Sequence, residues 1–119
     1  MGKIVVIFSF LSLFLYAQEL NIQDQILQDA CLSCHQEQQI PSGLIYKRYL
    51  KKYSTSDRMQ KAIFAYIKTP DKKHSIMPPQ FFLKFPMKEV STLDDDELKK
   101  MIKRYLNTFD IKKKLVLPQ

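Results

Sequence analysis

The chain has 119 residues, 45% of them hydrophobic and 26% charged, one domain's worth of ordinary globular composition, which excludes fibrous, low-complexity and multi-domain organisation. Two glycines, six prolines and no tryptophan leave little material for the Gly and Asn turns of hairpin-rich β architecture, so an all-α fold is expected. Nineteen Lys and Arg against twelve Asp and Glu give a net charge of +7. That charge bears on what the surface attracts and not on the fold, and it leaves acidic proteins, nucleic acid and anionic lipid as partner classes.

In chain order, Lys3 is followed by an unbroken apolar and hydroxyl run from Ile4 to Tyr16, then by Ala17 ahead of polar Gln18 and Glu19. A charged start, a short greasy centre and a small exit residue make a secretory signal. The run is shorter than the roughly 20 apolar residues of a spanning helix, which argues against the alternative, a permanent anchor. Residues 1–17 are therefore expected to be a cleaved leader and residues 18–119 the single mature domain. Losing Lys3 leaves that domain at +6, with Gly43 its sole glycine. A domain this small commonly needs a staple or a cofactor.

Ile22, Ile26, Leu27 and Ala30 keep helical spacing and lead into Cys31-Leu32-Ser33-Cys34-His35, which holds both cysteines of the chain. With no third cysteine, a disulfide closing a long loop is excluded. A Cys-x-x-Cys pair serves a redox dithiol, half of a zinc site, or covalent haem attachment, and only the last requires a histidine next to it. Two thiols one helical turn apart can add to vinyl groups on one porphyrin edge while the adjacent imidazole faces the iron. Zinc would need four ligands, leaving only crowded His35 and distant His74. A thioredoxin-like dithiol would need a βαβ frame, which the helical spacing contradicts. Haem attachment through Cys31, Cys34 and His35 is the favoured reading, with the dithiol behind it.

Gln36 to Pro41 is polar and aperiodic and reads as a loop over one haem edge. Leu44 to Tyr53 predicts a helix with Ile45, Tyr49, Leu50 and Tyr53 on one side and Lys47, Arg48, Lys51 and Lys52 interleaved. Ser56 is the expected cap of the next helix, with Met59, Ile63, Tyr66 and Ile67 on its apolar side and its end before Thr69-Pro70. Ser75-Ile76-Met77-Pro78-Pro79 follows, where two prolines fix the backbone and bar helix. Phe81-Phe82-Leu83-Lys84-Phe85-Pro86-Met87-Lys88 reads as aromatic cover over the cofactor's distal side, or as a docking patch rimmed by Lys84 and Lys88. The last helix is expected to open on Thr92 as cap, with Asp94 to Glu97 in its first turn and Leu98, Met101, Ile102, Tyr105, Leu106 and Phe109 on its core face. The tail from Asp110 to Gln119 carries no assigned role.

The attachment pentapeptide after a short helix, a Met-Pro-Pro segment and a terminal amphipathic helix opened by acids together make the mature chain resemble the class I monohaem c-type cytochromes. The resemblance implies a bundle of about four helices wrapped around one haem c, attached through Cys31 and Cys34, with His35 as an iron ligand. It also implies the last helix packing across the first, and a proline carbonyl, here Pro41, accepting the proximal histidine's ring N–H. For the other axial position the candidates are Met59, Met77, Met87, Met101 and His74. Met59 and Met101 lie in core-type helical patterns. Met77, 42 residues beyond His35, is held before prolines, where the family commonly places its ligand. Met87 and His74 are its rivals.

Thioether ligation raises the potential and closes the iron, which favours electron carriage over catalysis. The expected function is an exported, periplasmic, monomeric electron carrier that is not an enzyme. It would meet redox proteins with acidic docking surfaces through Lys47, Arg48, Lys51, Lys52, Lys72 and Lys73, bind no nucleic acid, and keep no membrane insertion after leader cleavage. Two alternatives stay open: a haem subunit or sensor bound to a larger oxidoreductase, and a thiol-disulfide oxidoreductase using Cys31 and Cys34.

Overall fold

A computed structural model describes the backbone of residues 2–114 and the side chains of residues 10–18, 24–29 and 31–113. Most of the chain is helical and no strand occurs among the described residues, so the all-α expectation holds. The elements are α1 (Gly2–Leu27), a π-helical turn (Gln28–Leu32), α2 (Ser33–Glu37), α3 (Ser42–Tyr53), α4 (Ser56–Lys68), α5 (Phe81–Lys84), α6 (Asp95–Phe109) and a closing 3-10 turn (Ile111–Lys114).

α1 passes through Ala17 without a break, and Phe10, Leu11 and Leu13 to Tyr16 are all exposed on it. The first described side chains to enter the core are Ile26 and Leu27. Among the described side chains, the core thus begins at Ile26. Met1 and the side chains of residues 2–9 lie outside what is described, as do those of Ile22 and Ala30. No described helix is long and apolar enough to cross a membrane.

α6 packs against α1, α3 and α4, and α3 also packs on α4. Each contributes residues spaced by three or four: Ile45, Tyr46 and Tyr49 from α3, Met59, Ile63 and Ile67 from α4, and Leu98, Met101, Ile102, Tyr105 and Leu106 from α6. That spacing puts a helix's apolar side chains on one stripe. Met59 and Leu98, each 1% exposed, form its centre. Tyr46, unassigned by the sequence, is buried because its hydroxyl reaches the Asp110 carboxylate at 3.3 Å. Tyr105 likewise donates to the Ser42 carbonyl at 2.7 Å, tying α6 to the start of α3. Arg104 of α6 pairs with Asp24 of α1.

Two expected caps move by a residue or two. Thr55, in extended conformation, accepts from the Arg58 amide at 3.4 Å, so it and not Ser56 caps α4. Asp94 accepts from the Glu97 amide at 2.9 Å, so it replaces Thr92 as cap of α6 and leaves Asp95, Asp96 and Glu97 in the first turn. A carboxylate there satisfies an orphan amide and meets the positive end of the helix dipole. α3 starts two residues earlier than its apolar pattern, because the Pro41 carbonyl accepts from the amides of Leu44 and Ile45. Of the tail, Ile111 packs on the core, and residues 115–119 lie outside the described residues.

Leu98→Ala is expected to cost about 2–5 kcal/mol, the range for a fully enclosed leucine, and Asp94→Ala about 1 kcal/mol, the value of an N-cap. Chemical denaturation of the two variants beside the parent measures both. A Leu98 cost no larger than that of Asp94 would contradict the core described here.

Candidate functional site

The π turn decides where the pentapeptide points. The Ser33 amide donates to the Gln28 carbonyl, five residues back, which inserts one extra residue into the helical turn. The Ser33 hydroxyl donates to the Asp29 carbonyl at 3.1 Å. Cys31 leaves the turn half-buried, and Cys34 and His35 follow in the first residues of α2.

α2 then stops in a Schellman motif, with the Ile40 amide on the His35 carbonyl at 2.9 Å and the Gln39 amide on the Gln36 carbonyl at 3.0 Å. Gln39 takes a φ of 56°, the left-handed conformation that usually falls to glycine. The motif fixes the His35 backbone from its C-terminal side and turns Ile40 inward. Part of the expected 36–41 loop is thus helix.

Cys31, Cys34 and His35 share one cavity of about 410 Å³, within the roughly 300–1,000 Å³ range of ligand and cofactor sites. α3, α4 and α6 supply Ile45, Tyr49, Ile63, Ile67, Ile102 and Tyr105 to its wall. The segment after α4 adds Met77, Phe81, Phe82 and Met87 to the lining. Phe85 stacks on Phe81, their centroids 4.7 Å apart. Lys88 lines the cavity.

The five ligand candidates separate. Met59 and Met101 are core residues. His74 is absent from the cavity wall and stands exposed, with Nδ1 3.5 Å from the Asp71 carboxylate. Met77 and Met87 both line the cavity. The Met77 amide donates to the Ser75 hydroxyl at 3.1 Å, a local turn that holds the segment ahead of its two prolines. The Met87 sulfur accepts from the Tyr66 hydroxyl at 3.6 Å.

Burial dominates the electrostatics. It pushes the Cys31 thiol above its ordinary range, opposed in part by the nearby Lys88 ammonium. It pulls the His35 imidazole below its ordinary value, and Lys88 adds to that shift. Tyr49 and Tyr105 are driven upward, again first by burial. A thiol shifted up is the reverse of an activated dithiol nucleophile.

His35 Nδ1 is buried without a hydrogen-bond partner. The expected bond from it to the Pro41 carbonyl is absent, because that carbonyl is engaged by the start of α3. An unpaired buried nitrogen costs about 1–3 kcal/mol. Among the described residues no three His, Cys, Asp or Glu side chains stand close enough to hold a metal ion, so nothing there completes a zinc site.

Two thiols, one imidazole and the thioethers of Met77 and Met87 thus line a single, mostly apolar cavity. Lys47, Arg48, Lys51, Lys52, Lys72 and Lys73 are exposed, as expected of a basic surface. Sequence reasoning named Lys88 as part of a docking rim and Tyr66 as part of an apolar stripe, and missed that both line the cavity. The latter had a signal, since a tyrosine on an apolar stripe needs a partner for its hydroxyl. Comparison with protein-family models, with curated proteins and with solved structures finds no match to this chain.

Two outcomes are expected of the full chain. Cys34, exposed, is alkylated at pH 8 well ahead of Cys31, whose thiol is half-buried and shifted up, as peptide mass spectrometry of a labelling time course shows. Gln39→Gly, which relieves a left-handed side-chain residue, raises unfolding stability by up to about 1 kcal/mol.

Proposed function

We propose that this chain is an exported monohaem c-type cytochrome that carries single electrons between redox proteins. The observation that carries the reading is that Cys31, Cys34 and His35 of the pentapeptide line the same cavity as Met77. In this reading Cys31 and Cys34 would hold one haem c through thioether bonds from their sulfurs, and His35 and Met77 would bind its iron. The haem supplies a one-electron couple when bound.

The chain's own residues do the rest. Ile45, Ile63, Ile67 and Ile102 exclude water from the site, which together with thioether ligation favours a raised potential. The π turn and the Schellman motif hold the His35 side, and the Ser75 turn with Pro78 and Pro79 holds the Met77 side. Little ordering or reorganisation is then required as charge moves. The basic face of α3 draws an acidic partner by long-range attraction.

The leader reading places the protein in the periplasm. It is supported by a core whose first described members are Ile26 and Leu27, so the exposed apolar residues Phe10 to Tyr16 contribute nothing to the fold. A second reading, a haem subunit or sensor bound to a larger oxidoreductase, draws on Leu83 and Val90, 89% and 62% exposed beside the aromatic segment. Stable co-purification with a larger enzyme would favour it.

The test is export of the full chain in a host that matures c-type cytochromes. The expected product keeps its haem through denaturing electrophoresis and shows a low-spin spectrum with the weak near-infrared band of iron–thioether ligation. Cys31→Ala with Cys34→Ala abolishes covalent haem. Met77→Ala removes the near-infrared band and lowers the reduction potential, while Met87→Ala keeps both. Exported protein without haem would sink the reading, and a high-spin parent spectrum would move it towards sensing or catalysis.

A further inference from the structure

We infer that Lys88 sets the charge of the cavity, acting as a cation that raises the reduction potential of the centre held there; this rests on the haem reading above. The wall presents two side chains that are ionised at neutral pH, Lys88 and Glu89. Lys88 is half-buried and Glu89 is exposed, so solvent and salt screen the carboxylate more fully than the ammonium.

Two ties to α4 hold the segment that carries Lys88. Before it, the Met87 sulfur accepts from the Tyr66 hydroxyl at 3.6 Å. After it, the Ser91 amide donates to the Ile67 carbonyl at 3.4 Å. None of the ion pairs among the described residues takes up the Lys88 ammonium. Its backbone is therefore fixed beside the cavity and its charge is left unneutralised.

That charge reaches the pentapeptide. At Cys31 it opposes the upward push of burial, and at His35 it adds to the downward pull. A cation acts in this way on both groups, favouring a thiolate and disfavouring an imidazolium. Glu89 is a cause of neither shift. Reduction adds one negative charge at the site, and a neighbouring cation favours the less positive state. A unit charge about 10 Å away, at an effective dielectric of about 20, changes such an equilibrium by roughly tenfold. Lys88 thus works on the same quantity as the isoleucine wall, by charge where the wall works by excluding water.

The test measures the reduction potential of the haem-loaded full chain and of four variants. Lys88→Gln is expected to weaken electron uptake about tenfold, which lowers the potential by about 59 mV. Lys88→Glu is expected to lower it about twice as far, and Lys88→Arg to stay within about twofold of the parent. Lys100→Gln, which removes a lysine exposed on α6, is expected to change electron uptake by less than about twofold and reports what net charge alone does. Equal shifts from Lys88→Gln and Lys100→Gln overturn the inference, as does a Lys88→Arg potential that falls as far as that of Lys88→Gln. A chain exported without haem fails the haem reading and takes the potential with it. Alkylation of the cysteines in the full chain at pH 8 keeps the two failures apart: Lys88→Gln is expected to slow Cys31 several-fold and leave Cys34 unchanged. A Cys31 rate that does not respond overturns the inference whether or not haem is bound in the exported protein.

Discussion

A cavity walled by apolar side chains is the constraint on which the rest of this structure depends. Protein interiors close on themselves at the density of organic crystals, yet here three helices meet around about 410 Å³. If sealed and dry, a void of that volume would cost about 10 kcal/mol at roughly 24 cal/mol per Å³, comparable with the whole stability of a small domain, roughly 5–15 kcal/mol. The helices tolerate such a gap because Met59, Leu98 and Ile102 pack fully to one side of it. The same packing aligns Ile45, Tyr49, Ile63, Ile67 and Tyr105 along the wall. The isoleucines of this wall offer water nothing to bond, so an apolar occupant suits that part of it better than water does.

The segment from Cys31 to His35 obeys a second constraint. Two cysteines three residues apart on a regular helix share a face, but the histidine next to the second one points elsewhere. The π turn at Gln28–Leu32 and the early stop of α2 reconcile the three, rotating Cys31 relative to Cys34 and ending the helix within two residues of His35. The strain at Gln39 belongs to the same device. A glycine would sit there more easily, yet the chain stops the helix with a glutamine and turns Ile40 into the cavity.

How much of this was legible in the sequence depends on how local the signal was. Core faces of α3, α4 and α6 followed from spacing alone, because burial selects the same three-and-four repeat that the chain displays. The pentapeptide and the Met-Pro-Pro segment were legible because their chemistry lies within five residues. Caps slipped between neighbours: Thr55 and Ser56 both carry hydroxyls, Thr92 and Asp94 both accept hydrogen bonds, and the backbone conformation that decides between them is not written in residue type. The π turn gave no signal, since it is a hydrogen-bonding choice among Gln28 to Ser33 that composition does not encode. Pro41 failed for a tertiary reason, its carbonyl being claimed by the helix that follows. Lys88 and Tyr66 became visible as cavity residues only once the chain folded back across α4.

The titratable groups around the cavity bear on what kind of chemistry belongs there. A site that moves protons keeps groups poised near neutral pH, typically by balancing burial against a charged neighbour. Here burial is the leading cause for Cys31, His35, Tyr49 and Tyr105, and in each case it favours the uncharged form. Shifts that share a sign in this sense move groups away from proton exchange, not towards it. Such an environment suits a centre whose charge changes by one electron and whose surroundings stay fixed. Cys34 stands apart from this set, exposed to solvent, so one thiol of the pair remains accessible while burial holds the other uncharged.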